Sequence, residues 1–182
     1  MNPIKKTRTQ NILQVMQAIS WLTFISLLVQ TGILAYSFLI QVQINPESAS
    51  ELYSGLDLFD TITKTPVVYY LITISIVVSF IFKTLLLYFV TQIFAKIKFE
   101  RPFTPILSVI VSKMSYVSLT IGILSNVSLR LSQAFLDAEN FSVMNEFIKG
   151  ADAFILFAGI LFIIAQVLKR GVEIQIENDL TI

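Results

Sequence analysis

Two long apolar runs joined by the short charged segment 96–104 constrain this chain more than any other feature. From Pro66 to Phe135 the sequence reads as an apolar helix, a turn carrying Lys96, Lys98, Glu100 and Arg101, and a second apolar helix running back. A helix needs about 20 apolar residues to cross a bilayer core of roughly 30 Å. Each arm is longer than that. Each also carries one lysine deep in apolar sequence, Lys83 and Lys113, at similar distances from the turn.

The remaining sequence extends this pattern. Hydrophobic residues make up 55% of the 182 and charged residues 14%, which is far from the balance of a soluble domain. Apolar stretches at about 21–40, 66–83, 113–130 and 152–168 can each span a membrane. The expected fold is an all-α integral membrane protein of one domain, 1–182, with four transmembrane helices. Its outer loops are 41–65 and 136–151, its cytoplasmic turn 96–104 and its cytoplasmic tail 171–182. Lys5, Lys6 and Arg8 precede an apolar run that is longer than the hydrophobic region of a cleaved signal, so it reads as an uncleaved first span.

Basic residues set the orientation. Lys5, Lys6, Arg8, Lys96, Lys98, Arg101, Lys169 and Arg170 fall at the termini and the hairpin turn, whereas the outer loops hold Lys64 and Lys149. Basic residues stay cytoplasmic, which puts both termini inside and the protein in the cytoplasmic, or inner, membrane of the cell. The outer loops are acidic and read as solvated surface, with Ser48 capping a short helix in one and Asn140 in the other.

A lysine at mid-bilayer costs about 2.5–3.5 kcal/mol on insertion scales, and no span holds an acid to pair with one. Lys83 and Lys113 are therefore expected at the cytoplasmic interface, reaching for headgroups. Trp21, Arg130, Lys169 and Arg170 complete the interface anchors. Residues beyond those markers then form a helical layer in the cytoplasm. Ile12, Val15, Met16 and Ile19 supply one apolar stripe, and Leu86, Val90, Ile93 and Ile97 another, opposite Thr84 and Thr91. In the third span, Ser115, Ser118, Gly122 and Ser125 line one face, a seam of small side chains that lets helix backbones approach closely.

Chemistry is sparse. There is no cysteine and no histidine, and the spans lack the clustered acids that would hold a metal. Ser79 and Lys83, four residues apart, are the one pair with a nucleophile and a base, without groups to orient them. No enzyme activity, cofactor or metal is expected, nor direct nucleic-acid binding.

The C-terminal sequence Gly171-Val172-Glu173-Ile174-Gln175-Ile176-Glu177-Asn178-Asp179-Leu180-Thr181-Ile182 and the turn Arg101-Pro102-Phe103-Thr104 resemble recurrent features of a bacterial four-span membrane protein family, catalogued as domain of unknown function 2975. The resemblance in layout covers nearly the whole chain and implies no catalytic residues. Members are often encoded beside a small helix-turn-helix DNA-binding protein, which implies a membrane-bound regulatory partner of a soluble cytoplasmic protein. Arg101, Pro102, Phe103, Gly171, Glu173, Gln175, Glu177, Asp179 and Leu180 are the partner-binding candidates, with the tail helical to about residue 177. The bilayer and a second copy of the chain, as a homo-oligomer, are the other expected partners. A small transporter or channel subunit, and a structural or lipid-interacting subunit, stand as the rival readings.

Overall fold

The structure, a computed structural model, describes residues 8–97 and 103–180. It is all-helical among these. Four stretches are long and apolar enough to cross a membrane: Asn11–Ile44, Pro66–Lys96, Pro105–Phe135 and Ala138–Asn178.

The first stretch begins as α1 (Arg8–Ala35). It loosens into a π-helical turn, Tyr36–Gln41, and resumes as α2 (Val42–Ile44). A π turn shifts the backbone ladder by one residue and opens carbonyls to other donors. Here Tyr69 donates its hydroxyl to the Phe38 carbonyl at 2.7 Å, and Ser37 accepts the backbone N–H of Tyr53 at 3.2 Å.

After α3 (Phe59–Lys64), α4 (Pro66–Lys96) and α5 (Pro105–Phe135) each open with proline at the first helical position, where its missing N–H costs nothing. Thr104 caps α5 through the Leu107 N–H. Residues 82–93 of α4 share a core with residues 110–121 of α5, whereas the start of α4 packs with Leu129 and Leu131. The two helices therefore run in opposite directions.

The fourth stretch is two helices, α6 (Ala138–Ile148) and α7 (Ala151–Leu180). Gly150, at φ +88°, makes the break, a left-handed conformation that favours glycine. Asp137 caps α6 by accepting the Asn140 N–H at 2.8 Å.

α5 is the centre of the bundle, packing along both α4 and α7, whereas α1 packs mainly on α4. Ser115 donates to the Ala158 carbonyl at 2.9 Å, and Gly122 faces Ala151 and Ile155. Lys113 thus lies level with about residue 160, and Lys169 and Arg170 sit roughly 14 Å further along α7 at 1.5 Å per residue.

Three sequence expectations need correcting. The outer loops are not simple solvated surface. Ala49, Leu52, Leu56 and Leu58 of the first, and Met144, Phe147 and Ile148 of the second, are buried in one core with Phe38, Tyr69 and Phe80. The caps also differ, because Asn45 rather than Ser48 accepts the N–H of Glu47, and Asp137 rather than Asn140 begins α6. Lastly, Thr84 and Thr91 are buried, whereas Ile12, Val15, Met16 and Ile19 are exposed. The threonine hydroxyls bond carbonyls of their own helix, which makes their burial cheap and leaves a narrow face for α1 to approach.

Candidate functional site

Two places in the fold hold polar groups that helix packing alone does not account for: the Lys83 environment halfway along the bundle, and the end of the bundle where α5 begins and α7 ends.

Lys83 projects from the middle of α4. The Cα–Cβ bond of a helical residue leans toward the helix N-terminus, and the amine follows, donating to the Phe147 carbonyl at 3.2 Å. Its Nζ also lies 4.5 Å from the centroid of the Phe80 ring and 5.8 Å from that of Phe154, near enough for a cation–π attraction. Phe147 is in the last turn of α6, where carbonyls lack intrahelical donors and the helix dipole is negative. In place of the headgroup contact expected for Lys83, its amine reaches α6, where the Phe147 carbonyl takes the place of an acid. Ser79 donates to the Ser75 carbonyl at 2.8 Å, so the Ser79 and Lys83 side chains spend their hydrogen bonds on different carbonyls.

Near this point the fourth stretch is broken. Asp152 lies in the first turn of α7, and Asn126 of α5 donates to it at 3.5 Å and to the Gly122 carbonyl at 3.0 Å. A cleft of about 460 Å³, lined by Gln30, Tyr53, Phe80, Ser142, Glu146 and Phe147 among others, opens beside Phe147.

The serine seam faces inward. Ser115, Ser118, Gly122 and Ser125 are buried, and so are Ser128 and Ser132 further along. A Cβ on Gly122 would stand 2.5 Å from the side chain of Ile155 and 3.2 Å from the Ala151 carbonyl, so close approach of α5 and α7 requires glycine. The Ser118 and Ser132 hydroxyls are buried without a hydrogen-bond partner. Of the other expected anchors, Lys113, Arg130, Lys169 and Arg170 are exposed. Trp21 is exposed too, edge-on to Phe24 at 5.6 Å between centroids.

At the far end of the bundle, the two sequence features that carry the family resemblance touch. Gly171 packs under the ring of Phe103, and a Cβ there would stand 2.5–2.9 Å from the ring carbons. Glycine normally weakens a helix interior, yet α7 runs through Gly171 to Leu180, three residues past the expected end near 177. The ring occupies the space a side chain would need. Past this contact, Glu173, Ile174, Ile176 and Glu177 are exposed and Gln175 is half-buried, with Glu173 paired to Arg170 at 2.9 Å. Arg101, Pro102 and the side chains of Asp179 and Leu180 lie outside the described residues.

Sequence reasoning missed Tyr69 and Phe147, and read Asn140 only as a helix cap rather than as the acceptor of the Asp57 N–H. Phe147 had a readable signal, since Met144, Phe147 and Ile148 recur at helical spacing. The hydroxyl of Tyr69 and the amide of Asn140 act across long sequence separations and had none.

Compared with family models, with curated proteins and with solved structures, the chain has no match.

Proposed function

We propose that the chain is a four-span protein of the cytoplasmic membrane with both termini inside, acting without enzymatic chemistry as the regulatory partner of a soluble cytoplasmic protein. The carrying observation is the Phe103–Gly171 contact. It fastens the last turns of α7 to the start of α5, so the helix from Val172 onward is held beyond Lys169 and Arg170 in a fixed direction. On that extension Ile174 and Ile176 are exposed between Glu173 and Glu177. Two residues apart, the isoleucines lie on nearly opposite sides of the helix, each beside an acid, which suits a basic partner that wraps the extension with apolar contacts on both sides. In this orientation α4, α5 and their connection form a hairpin toward the cytoplasm. The positive-inside distribution supports the orientation, and the resemblance to a family whose members are encoded beside a helix-turn-helix protein supports the partner.

The test is affinity purification of the full chain from mild detergent, with mass spectrometry of what accompanies it. Ile174→Asp and Ile176→Asp together should remove a specific soluble protein while leaving membrane level and thermal stability unchanged. If the same proteins accompany wild type and variant, the reading fails. Single cysteines at Asn45 and Lys98 test the orientation: a membrane-impermeant thiol reagent should label only the first in intact cells.

The break at Gly150 favours one second reading, a small transporter or channel subunit. Broken helices whose free ends face polar side chains at mid-depth are how transporters build substrate sites, and Lys83, Asn126 and Asp152 lie near this break. Ion or solute flux into liposomes that requires both Lys83 and Asp152 would favour it over the regulatory reading.

A further inference from the structure

α5 and α7 meet tightly at Gly122 and Ser115 but leave a groove of about 420 Å³ nearer the start of α5 and the end of α7. Its lining combines small or apolar residues, Ala165, Val109 and Val172, with Ser108, Ser112, Gln166 and Lys169. The polar members are unusual in what they lack. Hydroxyls elsewhere on the long helices commonly bond back to a carbonyl one turn earlier, as in Ser20, Thr23, Thr31, Ser75, Ser79, Thr120 and Ser128. Ser112 makes no such bond. Nor do the Gln166 amide and the Lys169 amine have a hydrogen-bonding or ionic partner among the described residues. The groove's one carboxylate, Glu173, is engaged by Arg170. Three donors without a partner among the described residues thus line one groove with no free carboxylate, and one of them, Lys169, is a positive charge.

Such a site fits an anion with several acceptor oxygens. Two further features say what carries that anion. Val109 is exposed on the groove wall, and one turn deeper Tyr116 follows Ser112 and Phe162 follows Gln166, both exposed. The groove therefore drains onto an apolar track along both helices, and its volume suits a headgroup rather than acyl chains. Lys169 lies where the apolar part of α7 ends, the depth at which a cation meets lipid phosphates. We propose that this groove binds the phosphodiester headgroup of an anionic glycerophospholipid, with Lys169, Gln166 and Ser112 as donors and the chains lying along Tyr116 and Phe162. A lipid amine has no free carboxylate to meet here, so the site prefers an anionic headgroup over a zwitterionic one.

The inference rests on the membrane insertion proposed above. The full chain is extracted in mild detergent, offered equal amounts of phosphatidylglycerol and phosphatidylcholine, and examined by native mass spectrometry. One phosphatidylglycerol should be retained in preference. Lys169→Gln should lower that retention about fivefold, and Ser112→Leu, which fills the groove floor, should lower it as well. Gln166→Leu serves if Ser112→Leu fails to fold. Lys149→Gln, in the opposite loop, should change nothing. Equal retention of the two lipids, or retention indifferent to Lys169→Gln and to the groove-filling variant, overturns the site alone. Displacement of the lipid by excess inorganic phosphate overturns its assignment to a lipid. Recovery of the chain in the soluble fraction overturns the membrane reading and the site with it.

Discussion

The two ends of this bundle are built on opposite principles. At one end, residues 41–65 and 136–150 close the structure on itself. The Phe147 ring lies 6.0–6.4 Å from those of Phe38, Tyr53 and Phe80, Lys83 secures its carbonyl, and the Asn140 side chain accepts the Asp57 N–H at 2.9 Å to join the two loops. At the other end, α7 runs past Lys169 and Arg170 with Ile174 and Ile176 exposed, and an open groove is lined by Ser112, Gln166 and Lys169. Buried polar groups are costly when unsatisfied, and the first end pairs Lys83, Tyr69 and Asn140 within the chain. The polar side chains of the groove at the second end are exposed or half-exposed and incur no such cost.

Substitutions at the two ends should separate accordingly. The largest effect is expected at Phe147→Ala, which removes the ring shared by three aromatic neighbours and should cost about 3–5 kcal/mol, read as thermal or denaturant stability in detergent. Gly122→Leu forces α5 and α7 apart and should cost about 1–3 kcal/mol by the same measurement. Tyr69→Phe loses only the hydroxyl bond to Phe38, about 1 kcal/mol. Asp137→Ala should cost about the same through loss of a helix cap.

Asp137 adds a pH dependence. The Asn140 backbone and side-chain N–H groups hold its carboxyl below the usual carboxylate range. A lowered folded-state value means the unfolded chain binds the proton more readily, so the stabilisation is complete above about pH 4 and is lost as pH falls through the folded value. Asp137→Asn should keep most of the cap and remove that pH dependence, measured by melting between pH 7 and pH 3. The smallest stability change belongs to the open end. Ile176→Ala should stay within about 0.5 kcal/mol of wild type, so a loss there comparable to that of Phe147→Ala would erase the contrast between the ends.

The sequence was most legible where one local signal sufficed. Long apolar runs, prolines at helix starts and acid-rich loops announce four long helices and the segments between them. Periodicity failed where the partner was remote. Nothing near Lys83 indicates a carbonyl 64 residues away, so an interface role was the cheapest local reading. Thr84 and Thr91 look like an outward face only if hydroxyls are counted as polar; once bonded to their own helix they pack as small side chains. Leu52, Leu56 and Leu58 sit among acids that set the character of the loop while the leucines turn inward. Phe103 and Gly171 each stand out along the sequence, but their contact is a fact of three dimensions.

The π turn at Tyr36–Gln41 makes the first span a helix with two phases. One surplus residue is wound into that turn, so the segments on either side differ by about 100° from the rotation a continuous α-helix would give them. Deleting one residue between Thr31 and Phe38 would swing either Thr31 away from Thr84 or Phe38 away from Tyr69, because both contacts could no longer be made together. The spacing between these two contacts is therefore counted in whole residues. A single insertion or deletion between Thr31 and Phe38 would act as a change of gear for the whole helix.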